Sequence, residues 1–196
     1  MNNRSHKIGL RFKRLTDIAI AGLALIFLTP LLFIIAVCIC LDSPGSPIFS
    51  QKRMGYKGKI FNIYKFRTMK TGTPDISTDL MLKQASPITR VGAVLRKTSL
   101  DEIPQLFNIV KGEMSIVGPR PALYNQYELI ERRKVLGILD VLPGITGLAQ
   151  INGRDDISDD LKIQFDKEYV DNWNYLLDWK IILNTFQAVF TSKGVY

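Results

Sequence analysis

The sequence predicts a predominantly helical α+β protein carried on an N-terminal membrane segment, with a small β-hairpin and amphipathic surface helices. Three observations lead there. Ile18 to Leu41 is an uncharged apolar run of 24 residues, and a membrane-spanning helix needs about 20. Residues 48–69 hold two stretches rich in aromatic and β-branched side chains around a Gly55 to Gly58 break, which reads as a hairpin. From Leu100 onward, apolar residues recur mostly at helical spacing.

The 196 residues suit a single core, with a membrane part over residues 1–45 and a second part over 46–196. The turn cluster DSPGSP, Asp42 to Pro47, must end any helix and marks the boundary. Within the apolar run, Thr29-Pro30 sits at the midpoint, where proline removes a backbone donor and predicts a kink. Basic residues flank both ends: Arg4, Lys7, Arg11, Lys13 and Arg14 before, and Lys52, Arg53, Lys57 and Lys59 after. Because cytoplasmic flanks collect Lys and Arg, a hairpin that enters and leaves by one face satisfies both. A single span with a proline kink satisfies the length equally well, and a buried helix of a soluble protein is the bland alternative.

Charge is unevenly divided. Residues 1–100 carry 16 basic and 4 acidic side chains, whereas residues 101–196 carry 10 and 14. The basic half calls for an anionic partner: nucleic acid, lipid headgroups or a phosphorylated small molecule. Cys38 and Cys40 lie inside the apolar run and act as small hydrophobes, and the single histidine, His6, sits in a basic tail. Histidine-built zinc sites and Ser-His or Cys-His nucleophile pairs are thereby disfavoured. Neither a P-loop nor a dinucleotide-binding glycine pattern is present. Catalysis would have to come from carboxylates, basic groups or a bound cation.

In the second strand, Phe61, Ile63, Lys65 and Arg67 share one face. Its two cations suit either protection of a sheet edge or contact with phosphate. Thr71 to Ser77 reads as a loop and Thr78 to Ala85 as the start of a short helix. Leu100, Ile103, Leu106, Phe107 and Val110 predict a helix beginning near Ser99. Neither VGPRP (Val117 to Pro121) nor the glycine-rich PGITGLAQINGR (Pro143 to Arg154) should be regular helix. Surface helices are expected over Leu123 to Leu136 and Ile157 to Val170, the second with Asp155, Asp156, Asp159 and Asp160 at its electropositive start. A last helix, Trp173 to Phe190, could be core, or could lie at headgroup depth with Trp173, Tyr175, Trp179 and Lys180.

Chemistry concentrates in RKTSLDEIPQ, Arg96 to Gln105. Ser99 and Glu102 fit a capping box, a purely structural role, although Pro104 disturbs the register. The same placement at a helix start beside arginines attracts phosphate and keeps a carboxylate ionised, and an ionised Asp101 can attack phosphorus. Arg120 in GPRP and Arg154 in NGR are further cations in glycine or proline loops, where a planar fork can meet an oxyanion.

The ordered set KRLTD (Lys13 to Asp17), an apolar segment with central Pro30, GSPIFSQKRMG (Gly45 to Gly55), YKFRTM (Tyr64 to Met69), RKTSLDEIPQLFNIVKGEMSIVGPRP (Arg96 to Pro121) and PGITGLAQINGR resembles the bacterial sugar transferase family. These are the monotopic polyprenol-phosphate phosphoglycosyl transferases, and the resemblance covers nearly the whole chain. It implies transfer of sugar-1-phosphate from a UDP-sugar to undecaprenyl phosphate, with release of UMP, at the cytoplasmic face of the bacterial inner membrane. It also implies Asp101 as nucleophile and Mg²⁺ ligand, Glu102 assisting, and Mg²⁺ as cofactor. Arg96, Arg120, Arg154, Lys65 and Arg67 become candidate substrate contacts. The resemblance favours a re-entrant helical hairpin, with Thr29 and Pro30 at the bend and Lys13, Arg14 and Asp17 at its entrance. The lipid bilayer and downstream glycosyltransferases are expected partners, and nucleic acid is not. Where the family commonly has an aromatic residue before the Asp of its K-R-x-x-D motif, this chain has Thr16. It also looks like the minimal catalytic form, without the N-terminal spans of longer relatives. Two rivals remain at this stage: an anchored nucleic-acid-binding protein, and a scaffold in which the LDE segment merely caps a helix.

Overall fold

The computed structural model describes residues 3–72, 87–153 and 157–190. The first helix, α1 (Asn3–Asp42), runs for 40 residues with Pro30 inside it, about 60 Å at 1.5 Å per residue. Two helical arms joined by a turn, the form a hairpin would take, are not separate elements: the chain stays helical through the proline. The Thr29 hydroxyl donates to the Leu25 carbonyl at 2.7 Å, a back-bond that tends to bend helices. Among the described side chains of α1, Lys13, Asp17, Ala21, Ile35 and Ile39 are buried, whereas none between Gly22 and Ile34 is. Both ends of the helix are therefore docked and its middle stands clear.

Docking at the first end is polar as well as apolar. Arg14 donates to the carbonyls of Ile109 (2.5 Å) and Met114 (3.1 Å), and the Ser115 hydroxyl donates to Asp17 at 2.6 Å. Lys13 pairs with Asp178 at 2.7 Å. At the other end Ile35 and Ile39 join Phe66 and Leu95 in one apolar cluster. Arg67 closes off α1 by donating to the Ser43 carbonyl at 2.6 Å, the Ser43 hydroxyl at 3.0 Å and the Pro44 carbonyl at 2.9 Å.

The expected hairpin is present. Strand β1 (Ile48–Met54) pairs antiparallel with β2 (Ile60–Phe66), Gln51 facing Ile63. The tip, Tyr56–Gly58, needs left-handed backbone at Lys57 and Gly58. Alternation turns Phe61 and Ile63 inward onto Ala21, Ile109 and Met114, which seats α1 on the domain.

Helix α2 (Arg90–Thr98) starts at Thr89, whose hydroxyl accepts from the Gly92 N–H at 3.0 Å. It ends at Ser99, whose backbone is left-handed at φ 56°. The single helix expected from Ser99 is instead a 3-10 segment, Leu100–Gln105, running into the short helix α3 (Leu106–Lys111). Pro104 lacks the N–H that α-helical bonding requires there. The capping box does not form either: Ser99 makes no side-chain cap, and Glu102 is engaged elsewhere.

A parallel strand pair was not expected. Strand β3 (Ser115–Val117) pairs with β4 (Gly144–Thr146), so part of PGITGLAQINGR is regular. A Cβ at Gly144 would lie 2.1 Å from the Gly118 nitrogen, so this contact requires glycine. Among the described residues follow helix α4 (Tyr127–Val135), a 3-10 turn (Ile138–Asp140), and helices α5 (Leu148–Ile151), α6 (Asp159–Asn172, capped by Ser158) and α7 (Tyr175–Phe190). Helix α5 corrects the expectation of no regular helix in PGITGLAQINGR: past Gly147 the chain makes a single helical turn, the Ile151 N–H bonding the Gly147 carbonyl at 3.2 Å. The last helix meets the core expectation along one side, which takes in the Trp173 that precedes it. Trp173 and Ile181 are buried against Val117 and Tyr169, while Leu176, Trp179, Leu183 and Phe186 are exposed. The expectations for Thr78 to Ala85, for Asp155 and Asp156, and for most of the loop from Thr71 lie outside the described residues.

Candidate active site

Three separate stretches bring charge to one place. Strand β2 delivers Lys65 near its end, the 3-10 segment delivers Asp101 and Glu102, and the loop after β3 delivers Arg120. Lys65 Nζ lies 2.6 Å from Glu102 Oε1, and Arg120 Nη2 lies 3.3 Å from the same oxygen. Helix α2 adds Arg96, whose Nε donates to the Thr68 hydroxyl at 3.0 Å. That approach depends on Gly92, where a Cβ would come within 2.1 Å of the Thr68 carbonyl oxygen.

The two adjacent carboxylates have different environments. Burial works against ionisation of Glu102, but Lys65 and Arg120 outweigh it and hold its carboxyl at about 2. Burial pushes Asp101 upward, and the Glu102 charge adds to this; Lys65, Arg96 and Arg120 oppose the rise. Among the described residues Asp101 makes no hydrogen bond or ion pair, although it feels the field of all three cations. One carboxylate is thus clamped and the other is left available. In a 3-10 segment successive side chains diverge by about 120°, which separates their directions.

Of the residues singled out from sequence, Asp101, Glu102, Lys65, Arg96 and Arg120 share this electrostatic neighbourhood. Arg67 does not join it, because its guanidinium is spent on the Ser43-Pro44 turn. Arg154 lies outside the described residues. Sequence reasoning missed Thr68 and the fully buried Asn108, whose amide donates to the Asn62 carbonyl at 2.7 Å and accepts from the Tyr64 N–H at 3.1 Å. Asn108 ties helix α3, which continues the segment bearing Asp101 and Glu102, to the strand that carries Lys65. It also missed Arg133, which donates to the Arg120 carbonyl at 2.7 Å.

No three His, Cys, Asp or Glu side chains among the described residues form a metal cage. A site with one open carboxylate still fits Mg²⁺, which keeps several waters and takes phosphate oxygens from its substrate. Asp101 is the residue that would hold such an ion.

An available carboxylate in a ring of cations suits attack on phosphorus, with the cations absorbing charge on the phosphoryl group and its leaving partner. The arrangement is that of a phosphoryl-group transferase. The chain belongs to the bacterial sugar transferase family, whose model matches residues 8–192. It is 38% identical over 204 residues to the exopolysaccharide production protein ExoY of Rhizobium meliloti, covering 96% of this chain and 90% of that protein. It is 42% identical over 197 residues to the UDP-glucose:undecaprenyl-phosphate glucose-1-phosphate transferase of Escherichia coli, covering 94% of this chain and 41% of that protein. An uncharacterized sugar transferase of Haemophilus influenzae is 39% identical over 212 residues, covering the whole chain and 45% of that protein. The chain therefore spans less than half the length of two of these relatives and nine-tenths of the third. By family the chain is a sugar transferase.

Proposed function

We propose that this protein transfers sugar-1-phosphate from a UDP-sugar to undecaprenyl phosphate through a covalent aspartyl intermediate. The observation that carries the reading is the contrast between open Asp101 and clamped Glu102. An Asp101 oxygen attacks the phosphorus that bears the sugar, the bond to the bridging oxygen breaks, and UMP leaves with that electron pair. An oxygen of undecaprenyl phosphate then attacks the same phosphorus, displacing Asp101 as a free carboxylate and giving the polyprenol diphosphate sugar. Neither step needs a net proton transfer. Arg96, Arg120 and Lys65 bind and orient the diphosphate, with Arg154 a further candidate contact. Glu102, held ionised at about 2, is a poor proton acceptor at neutral pH; its work is to hold Lys65 and Arg120 in place. Mg²⁺, when bound, neutralises charge on the diphosphate.

The membrane reading is a re-entrant α1 that enters and leaves by the cytoplasmic face of the bacterial inner membrane. It is supported by the docking of both ends of α1 on one domain, by basic residues at both flanks and by the uncovered apolar middle. Exposed Leu176, Trp179, Leu183 and Phe186 on α7, and Phe12 and Leu15 near the start of α1, suit the adjoining headgroup layer. Phe12 packs edge-on against Tyr175, with ring centroids 6.0 Å apart, joining the two surfaces. The product would feed downstream glycosyltransferases of surface glycan assembly.

The test is UMP release by the detergent-solubilised protein with undecaprenyl phosphate, Mg²⁺ and a panel of UDP-sugars, beside a folded Asp101→Asn variant. Release that requires the lipid phosphate and is lost in the variant is expected. Equal release by the variant would refute the covalent mechanism. No release from any donor, with a homologue active in the same assay, would refute the activity.

A further inference from the structure

The loop that carries Arg120 has little backbone bonding of its own, because Pro119 and Pro121 have no N–H to donate. Its carbonyls are gripped from outside. Arg133 on α4 donates from Nη1 to the Arg120 carbonyl at 2.7 Å. Arg53 on β1 donates to the Pro121 carbonyl at 3.1 Å, and the Met54 N–H to the Ala122 carbonyl at 2.9 Å. Arg133 is itself held by Asp166 on α6, Nη2 to Oδ2 at 2.5 Å, with side chains 4% and 1% exposed.

Such a buried pair is a weak means of stabilising a fold, since desolvation offsets the attraction and apolar pairs of similar volume often serve as well. What an apolar pair cannot do is hold the Arg120 carbonyl. The Arg120 side chain leaves that same residue for Glu102 at 3.3 Å.

We propose that Arg133, oriented by Asp166, is a positioning residue of the active site: by fixing the backbone of Arg120 it sets that guanidinium against Glu102 and the diphosphate of the donor. The inference rests on the proposed transferase function. Arg133 acts only through Arg120.

A double-mutant cycle on the full chain tests this, with UMP release as the activity readout. One arm replaces the pair without stranding a charge, Arg133→Met with Asp166→Leu; the other is Arg120→Ala; the last combines them. In the native background the pair replacement should lower kcat/KM about 10- to 100-fold, mainly through KM for the UDP-sugar, at an unchanged melting temperature. In the Arg120→Ala background it should change kcat/KM less than about 2-fold. Equal losses in both backgrounds, or no loss in the native one, would overturn the inference and leave the transferase reading intact. Absence of wild-type turnover would overturn that reading, and this inference with it. Should the pair replacement fail to fold, Arg133→Lys decides in the same cycle. Its loss must likewise vanish without Arg120, and an equal loss in both backgrounds overturns the inference.

Discussion

Lys65→Met is the sharpest perturbation of the site. The Lys65 ammonium lies 2.6 Å from Glu102, with the two side chains 17% and 20% exposed, and Arg120 is the second partner at 3.3 Å. Holding Glu102 at about 2 against an ordinary 4.5 corresponds to about 3 kcal/mol in favour of its ionised form. Lys65 is the nearer and stronger of the two attractions, so its removal should cost on the order of 2 kcal/mol, below the 3–5 kcal/mol expected for breaking a fully buried pair. Because the folded value is depressed, this stability is fully present above 4.5 and is lost as pH falls through about 2. Lys65→Met should therefore melt about 4–8 °C below wild type at pH 7, given roughly 2–4 °C per kcal/mol for a chain of this size. The gap should narrow as pH drops from about 4.5 towards 2. Lys65 also opposes the upward push on Asp101, so the acid limb of the pH–activity curve should move to higher pH. Thermal unfolding in detergent across this range measures the first effect, and UMP release the second. Melting within about 1 °C of wild type at pH 7, with an unmoved acid limb, would refute the argument that this contact sets the ionisation of the pair.

Three further outcomes are expected. Asp101→Asn should lower turnover at least about 1,000-fold without lowering the melting temperature, because a neutral amide relieves the repulsion from Glu102; calorimetry beside the activity assay checks both. Arg14→Ala removes the charged donors that hold α1 to the Ile109 and Met114 carbonyls, costing about 3 kcal/mol, and limited proteolysis should then cut near that end of α1. Single cysteines at Lys7 and Lys57, in a Cys38→Ser, Cys40→Ser background, should label with an impermeant thiol reagent from the same side of inverted membrane vesicles; labelling from opposite sides would exclude re-entry.

The hairpin was legible because alternation and a glycine-bounded tip are local signals; β1 falls where the pattern puts it. The carboxylate pair was legible as chemistry but not as geometry. Ser99 and Glu102 match a capping box by spacing, yet Ser99 adopts left-handed backbone and Pro104 tightens the chain to 3-10, so Glu102 turns to Lys65 on a strand 37 residues earlier. Lys65 and Arg67 looked equivalent on one strand face, but strand β2 ends at Phe66 and Arg67 folds back onto Ser43. Arg133 and Asp166 gave no signal at all. Each reads as a charge on a surface helix, and their burial arises only when α4 and α6 pack together. The β3–β4 pair is too short for periodicity to report, and what permits it is a glycine contact between segments far apart in sequence.

The docking of α1 has a consequence of phase. From Ala21 to Ile35 is fourteen residues, close to four turns at 3.6 residues per turn, so the two docked patches fall on one side of the helix. Inserting one residue between them would rotate Ile35 and Ile39 by about 100° relative to Asp17 and Ala21, and only one patch could then find its seat. Inserting seven would restore the facing to within about 20° while lengthening the helix by about 10 Å. The free middle of α1 can thus vary in its apolar side chains, but its residue count is fixed by the register between its two ends.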